Sequence, residues 1–388
     1  MKQDYWTYNK PLSMTGLGGG ATSLSNAGAA GFVPYNEPKL SDGSGLTFGP
    51  YDNAGNVLVG YLGPTKANLR IYYKNLSSWG SWVDNDDYFS TTSTGIQVWR
   101  VPESRTYTIE METPKFHVLN GRGRHLKFDY DLTAGDRLFI LPGQRCNPVT
   151  DSNSSMGGNG GTFLVMGNSS EADLDADLLA RNSSDAIAVC GGAGRGYTTA
   201  SDAAAPGSHP SGSDAETSVN HGSGRGIQNY HGLPDGGPSG GAGFLKGACQ
   251  HDVTGTQFFV YSDKQDSTSF IYDADSFVRG GLGGRGYNHT NWSNPYNLGQ
   301  SNNGFNGSGG FGGGGGQSTG NSYNSGAGGF QGGNENDGGS LGTYPGNYKY
   351  SNGADRIQGG GSYIKSGISL TTNQYGTGNL GYVNIKFT

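Results

Sequence analysis

Within 388 residues the chain carries 73 glycines, only 32% apolar residues and a formal net charge of −6. Glycine stands at well over twice its ordinary share of about 7%, but without a Gly-X-Y period and abundant proline, which excludes collagen. The charges form no basic patch or stripe of the kind that nucleic-acid binding needs, and the aromatic content of 11% is more than a disordered chain carries.

The glycine runs therefore read as structured backbone rather than flexible linker. Phe244, Phe311, Phe330 and Tyr287 recur inside them. With so few aliphatic residues, the fold must lean on backbone hydrogen bonds and aromatic caps. Cys146, Cys190 and Cys249 are odd in number and form no CxxC pair, so small buried thiols are expected rather than a disulfide framework. Residues 1–6 lack the apolar core of a secretory leader. No run of 18 apolar residues occurs. The chain is expected to be made in a cytoplasm, without membrane insertion.

Residues 1–45 form one unit, an arm. Residues 5–8 suit a short strand, and residues 11–30 are too poor in apolar weight to bury a core. Tyr5, Trp6 and Tyr8 are its expected anchors on a partner, since aromatic residues typically carry interface energy. Residues 46–388 form the folded domain, strand-rich over 46–145 and glycine-rich over 146–388. Residues 56–61 and 68–73 are apolar runs of strand length, separated by Gly63-Pro64. Asp84, Asp86 and Asp87 are close enough to suggest calcium, but their spacing does not match an EF-hand, and a solvent loop is expected.

Residues 96–102, 107–112 and 125–130 alternate apolar and polar side chains, the period of half-buried strands. Residues 137–141 read as a buried strand ending at Pro142-Gly143. Strands at this spacing suggest an all-β sandwich or jelly roll. Only 17 of the glycines fall in the first 140 residues. Beyond them, apolar islands at 162–166, 186–190, 257–261, 270–272 and 382–387 each predict a further strand, the last closing the sandwich. The acidic stretch from Glu171 to Asp177 suits a solvated face. The glycine runs at 157–161, 191–196, 236–243, 280–284, 309–316 and 326–329 are short and bounded. Their entropic cost needs an offset, which bare extended backbones lying side by side would supply.

Residues 95–110, then 132–144, 157–165 and 186–194, resemble in order the blocks of the glycine-rich domain of the anaplastic lymphoma kinase and leukocyte tyrosine kinase receptors. Phe48-Gly49-Pro50 resembles that domain's opening. Similar domains occur in bacteriophage virion proteins, and interleaved polyglycine helices in tail-tip adhesins of T-even-like phages. The resemblance covers about residues 46–388. It departs where residues 111–116 replace an Ala/Gly-rich segment, and the receptor cysteine pattern is missing. What it implies is a jelly-roll sandwich, tumour necrosis factor-like, with an inserted bundle of polyglycine II helices. Gly192, Gly194, Gly312, Gly313 and Gly314 are its expected structural glycines.

Among chemical motifs, Gly-x-Gly-x-x-Gly matches are inevitable at this glycine density, and no P-loop occurs. The seven histidines fit no metalloprotease frame. His221 and His231 share a loop with Asp235, where a surface loop is expected over a metal site. Neither a catalytic residue, a cofactor nor a metal is expected. The informative loops carry Tyr287, Asn288, His289, Trp292 and Tyr296, then Tyr323, then Tyr344, Tyr348 and Tyr350. Tyr, Asn, Ser and Gly are the residues of adaptable binding loops. These tyrosines would equally serve as caps on the glycine helices.

Taken with the resemblance, the expectation is a virion protein of tail-fibre or adhesin type. The arm would join other virion proteins, and the loops would bind a host cell-surface glycan or protein without covalent chemistry, from a homo-oligomer such as a trimer. A decoration or neck protein, and a virion-associated glycan depolymerase, are the alternatives.

Overall fold

The computed structural model describes residues 42–76, 80–115, 122–146, 157–195, 241–245, 274–284, 309–315, 326–330 and 359–388, with Tyr35, Leu40, Gly247, Gly332 and four short strand segments besides. Two antiparallel sheets dominate, with few helices. In chain order their strands are β1 (Leu46–Phe48), β2 (Phe89–Thr91), β3 (Gln97–Arg100), β4 (Arg105–Glu112), β5 (Arg124–Leu132), β6 (Arg137–Leu141), β7 (Thr162–Met166), β8 (Ala186–Cys190), β9 (Tyr363–Ile364), β10 (Leu370–Tyr375) and β11 (Tyr382–Phe387). The five-stranded sheet runs β1-β11-β4-β5-β10 and the six-stranded sheet β9-β8-β7-β6-β3-β2. The C-terminal strand lies between β1 and β4, pairing Ile385 with both Leu46 and Ile109, so the last residues do close the sheet.

Of the period-two stretches, 107–112 and 125–130 bury one face, whereas 96–102, expected to be half-buried, is covered on both because it lies in the sheet between the two cores. Tyr107, Ile109 and Met111 of β4, Leu126 and Phe128 of β5, and Val383 and Ile385 of β11 meet Trp99, Leu138, Ile140 and Leu164 of the opposite sheet in one core. The six-stranded sheet is buried on both faces. Phe139, Leu141, Phe163, Val165 and Val189 point away from that core, into a second one with Phe244, Phe277, Phe311 and Phe330. A strand covered on both sides reads as a continuous apolar run, which is why β6, β7 and β8 do not alternate in sequence.

Three further expectations are corrected. Residues 68–73 are not a strand but part of α1 (Lys66–Asn75), which starts where the Thr65 side chain accepts from the Asn68 N–H. Its buried residues, Leu69 and Tyr73, are four apart, which is a helical spacing. Lys66, Arg70 and Lys74 repeat at the same interval on another face. Residues 56–61 form no strand either, only the isolated bridges of Val57 to Tyr51 and Val59 to Arg145. The acidic stretch is not all solvated. Asp173 caps α2 (Leu174–Leu179), but Asp177 is buried, 2.7 Å from Arg137 and 3.0 Å from Arg181.

Asp84 and Asp86 serve as ion-pair partners of α1. Lys66 and Arg70 both lie 2.8 Å from Asp86, and Lys74 lies 2.9 Å from Asp84. The hydrogen bond from Lys66 holds the Asp86 carboxyl below its ordinary range. Cys146 and Cys190 are buried. The Cys190 thiol donates to the Met111 carbonyl at 3.4 Å, and burial pushes its pKa up. Phe258–Phe259, within the predicted island at 257–261, pairs with Cys249–His251. The island at 270–272 lies outside the described residues. Leu40, assigned to the arm, is fully buried in the core between the sheets.

Replacing Asp177 by Ala leaves two guanidinium groups without their buried partner, which costs about 3–5 kcal/mol. Chemical denaturation should show that loss as a lower midpoint at unchanged slope. The reactive form of a cysteine is the thiolate. Cys190 should therefore resist iodoacetamide at pH ~8 in the native protein and react on unfolding, as peptide mass mapping would show.

Candidate functional site

Strands β6, β7, β8 and β9 all meet glycine-rich backbone at one end of their sheet. Registers pair Leu141 with Phe163, Thr162 with Cys190, and Val189 with Tyr363. From there the chain passes into residues 142–144, 157–161, 191–193 and 359–361. Residues 241–243, 280–284, 309–315 and 326–329 lie among them.

These segments bond to one another through backbone alone. Successive residues reach different neighbours: Gly310 donates to Gly158, Phe311 to Gly60 and Gly312 to Gly281, at 2.9, 2.7 and 2.6 Å. Likewise Gly328 donates to Asn159, Gly329 to Ala242 and Phe330 to Gly361. A β-strand hydrogen-bonds sideways in one plane, whereas these segments bond in several directions. Residues 309–315 are the hub, bonded to residues 157–161, 280–284, 241–243 and 326–329, and also to Gly60 and Gln144.

Such contact requires the absence of Cβ atoms. One built on Gly314 would collide with the Gly158 carbonyl, on Gly312 with that of Gly161, and on Gly192 with that of Asn159. Gly313 adds a left-handed φ of +83°. Gly194 is also buried, at the start of a short strand, Gly194–Arg195, paired with Ala200–Ser201. An aromatic row fills the space between segments and sheet. Phe163 stacks on Phe277 at 4.8 Å, Phe277 on Phe244 at 5.2 Å, and Phe330 on Tyr363 at 4.2 Å.

The segments also gather the ends of the chain's long connections. Gly284 and Gly309, which flank residues 285–308, are joined by a 2.8 Å hydrogen bond. Gly315 and Gly326, which flank residues 316–325, are joined by another of the same length. Gly158, just after residues 147–156, donates to Gly315 at 2.8 Å. A Cβ on Gly332 would strike the Gly241 carbonyl, and one on Gly241 that of Ala327. Five connections are thus rooted together at the end of the segments away from the sheet.

The side chains expected to bind lie outside the described residues: Tyr287, Asn288, His289, Trp292, Tyr296, Tyr323, Tyr344, Tyr348 and Tyr350. So do Tyr5, Trp6 and Tyr8 of the arm, and His221, His231 and Asp235. Their loop bases are what the structure brings together. Capping of glycine segments by aromatic residues is realised by Phe244, Phe311 and Phe330, all buried. Sequence reasoning missed Asn159. Its side chain accepts from the Cys146 N–H at 3.1 Å and donates to the Pro114 carbonyl at 2.9 Å. An amide standing alone within a glycine run is the signal that could have found it.

A polar side-chain cluster lies elsewhere, on the outer face of the five-stranded sheet. There Glu110 receives His125 Nε2 and the Tyr382 hydroxyl, each at 3.0 Å. Among the described residues no group of three or more His, Cys, Asp or Glu could hold a metal ion, and no helix is long and apolar enough to cross a membrane.

Gly314→Val or Gly313→Val should destabilise the protein by more than about 4 kcal/mol, the range reserved for overpacking and strain. Gly367→Ala is the control. Its φ is +87° but nothing lies within 4 Å of the added atom, so only the backbone term of about 1–2 kcal/mol is expected. Thermal unfolding of the variants separates the two. No protein-family model matches the chain, and no curated protein is significantly similar to it.

Proposed function

We propose that this is a virion protein of tail-fibre or adhesin type, which binds a host cell-surface glycan or protein through loops held on a rigid glycine scaffold. We infer that the glycine segments are polyglycine II helices. The observation that supports this is the fan of hydrogen bonds from Gly158, Asn159 and Gly160 to Gly315, Ala193 and Gln144, with Gly161 returning to the segment that Gly158 reached, as a helix of three residues per turn without internal bonds would make. Residues 310–314 are instead a turn, closed by the bond from Gly314 to Gly310. The sandwich that carries them is read as a jelly roll, because the chain passes from one sheet to the other between β1 and β2, β3 and β4, β5 and β6, and β9 and β10.

The host-recognition reading rests on one feature above all: five connections rooted together on a scaffold whose glycines are packed too closely to admit a Cβ. Rooting the two ends of a loop removes part of the entropy that binding would otherwise cost, which favours affinity. Their composition, rich in Tyr, Asn, Ser and Gly, suits adaptable recognition. The arm would join other virion proteins, and the particle would carry the protein, as a homo-oligomer such as a trimer.

Two variants test this. Deleting residues 2–34, which spares Tyr35 and Leu40, should leave a folded protein that is missing from purified particles. Replacing Trp292 and Tyr296 by Ala should leave melting unchanged and lower binding of the purified protein to host cells by about tenfold or more, as loss of aromatic anchors does. Cell binding by neither protein would favour a decoration or neck role, and full cell binding by the double variant would rule out these loop residues as the binding site. Release of reducing sugar from host glycans would favour a depolymerase.

A further inference from the structure

Tyr35 is inserted into an aromatic cleft of the folded domain. Its ring stacks on Tyr88 at 4.2 Å and lies 5.1 Å from Trp82. Its hydroxyl accepts from the Trp99 indole N–H at 2.7 Å and donates to the Arg100 carbonyl at 2.9 Å. Trp99 is fully buried, so its N–H depends on a partner inside the protein. The floor of the cleft thus offers one donor and one acceptor at fixed positions, under two aromatic walls. Only a group that is flat, apolar and both donor and acceptor at its tip satisfies all four, and a phenol does.

The position of the cleft is as telling as its chemistry. Arg100 pairs with Arg137, and Leu138 with Met166. These pairs mark the end of the six-stranded sheet opposite Leu141 and Cys190, where the glycine segments begin. We propose that Trp82, Tyr88, Trp99 and the Arg100 carbonyl form a phenol-specific seat whose occupant is Tyr35 of the same chain. The seat fastens the root of the N-terminal arm to the end of the domain farthest from the loop bases. The seat stands on its own geometry, and only its consequence for attachment rests on the virion reading.

Three forms of the full chain test it: wild type, Tyr35→Phe and Tyr35→Ala. The measurement is hydrogen exchange at the Trp99 indole N–H, followed by NMR with isotope-labelled tryptophan. Tyr35→Ala should exchange at least about tenfold faster than wild type, the equivalent of a lost hydrogen bond. Tyr35→Phe keeps the stack and should be intermediate. Added p-cresol should restore slow exchange to Tyr35→Ala, and toluene should not.

Unchanged exchange in Tyr35→Ala overturns the seat, and equal rescue by toluene overturns its specificity for a phenol. Protection in wild type that falls on dilution would mean the tyrosine comes from a second copy, and would overturn the same-chain assignment. Should Tyr35→Ala fail to fold, wild type and Tyr35→Phe still decide, because equal exchange in those two removes the phenol's role. All of this is read on purified protein, so failure of the arm to join a particle leaves it untouched.

Discussion

The close approach of peptide backbone to peptide backbone across the glycine segments is the constraint on which the rest of the molecule depends. In ordinary interiors, side chains separate main chains and fill the space between them. Here the carbonyl of Gly158 occupies the place a Gly314 side chain would take. Each glycine costs conformational entropy on ordering, about 0.5–1 kcal/mol more than alanine. The offset is dense main-chain hydrogen bonding among residues 157–161, 280–284, 309–315 and 326–329, together with burial of the phenylalanines that border them. A net gain of about 0.5–1.5 kcal/mol per hydrogen bond is of the same size as that cost, so packing against the sheet decides the outcome.

That dependence runs both ways. The six-stranded sheet exposes Phe139, Phe163 and Val165 on the face turned away from its partner sheet, and these need a cover. Phe244, Phe311 and Phe330, delivered by glycine-rich segments, provide it together with Phe277 from the short helical turn at Phe277–Arg279. The sandwich supplies a flat apolar platform and parallel exits for the chain at Leu141, Thr162 and Cys190. The segments supply the cover and hold the loop bases together. Neither half is complete alone, which is why low aliphatic content is compatible with a buried core.

The molecule is also polar in the geometric sense. One end of the six-stranded sheet continues into the glycine segments and the connections they root. The other end holds Tyr35 in its cleft and, nearby, the buried ion pair of Arg137 and Asp177. Leu40 anchors a further point of the N-terminal region between the sheets. The N-terminal contact and the glycine segments are thus tied to opposite ends of the same strands.

Local chemistry was legible in the sequence wherever the structure uses it locally. Period-two alternation at 107–112 and 125–130 marks β4 and β5 because a sheet with one wet face repeats every second residue. The apolar islands at 162–166 and 186–190 mark β7 and β8, and aromatic residues inside the glycine runs distinguish scaffold from linker. Tertiary structure alone decided the rest. Residues 68–73 look apolar enough for a strand, but a core that accepts Leu69 and Tyr73 together makes them helical. Asp177 looks solvated until β6 brings Arg137 to it from 40 positions away. Residues 370–375 carry no strand pattern and pair with β5 as an edge. Which glycine faces which carbonyl, and that Tyr35 closes over Trp99, are contacts between distant parts of the chain. Composition announces that backbones will crowd, but only the folded arrangement selects the pairs, because a residue without a side chain leaves no pattern of its own to read.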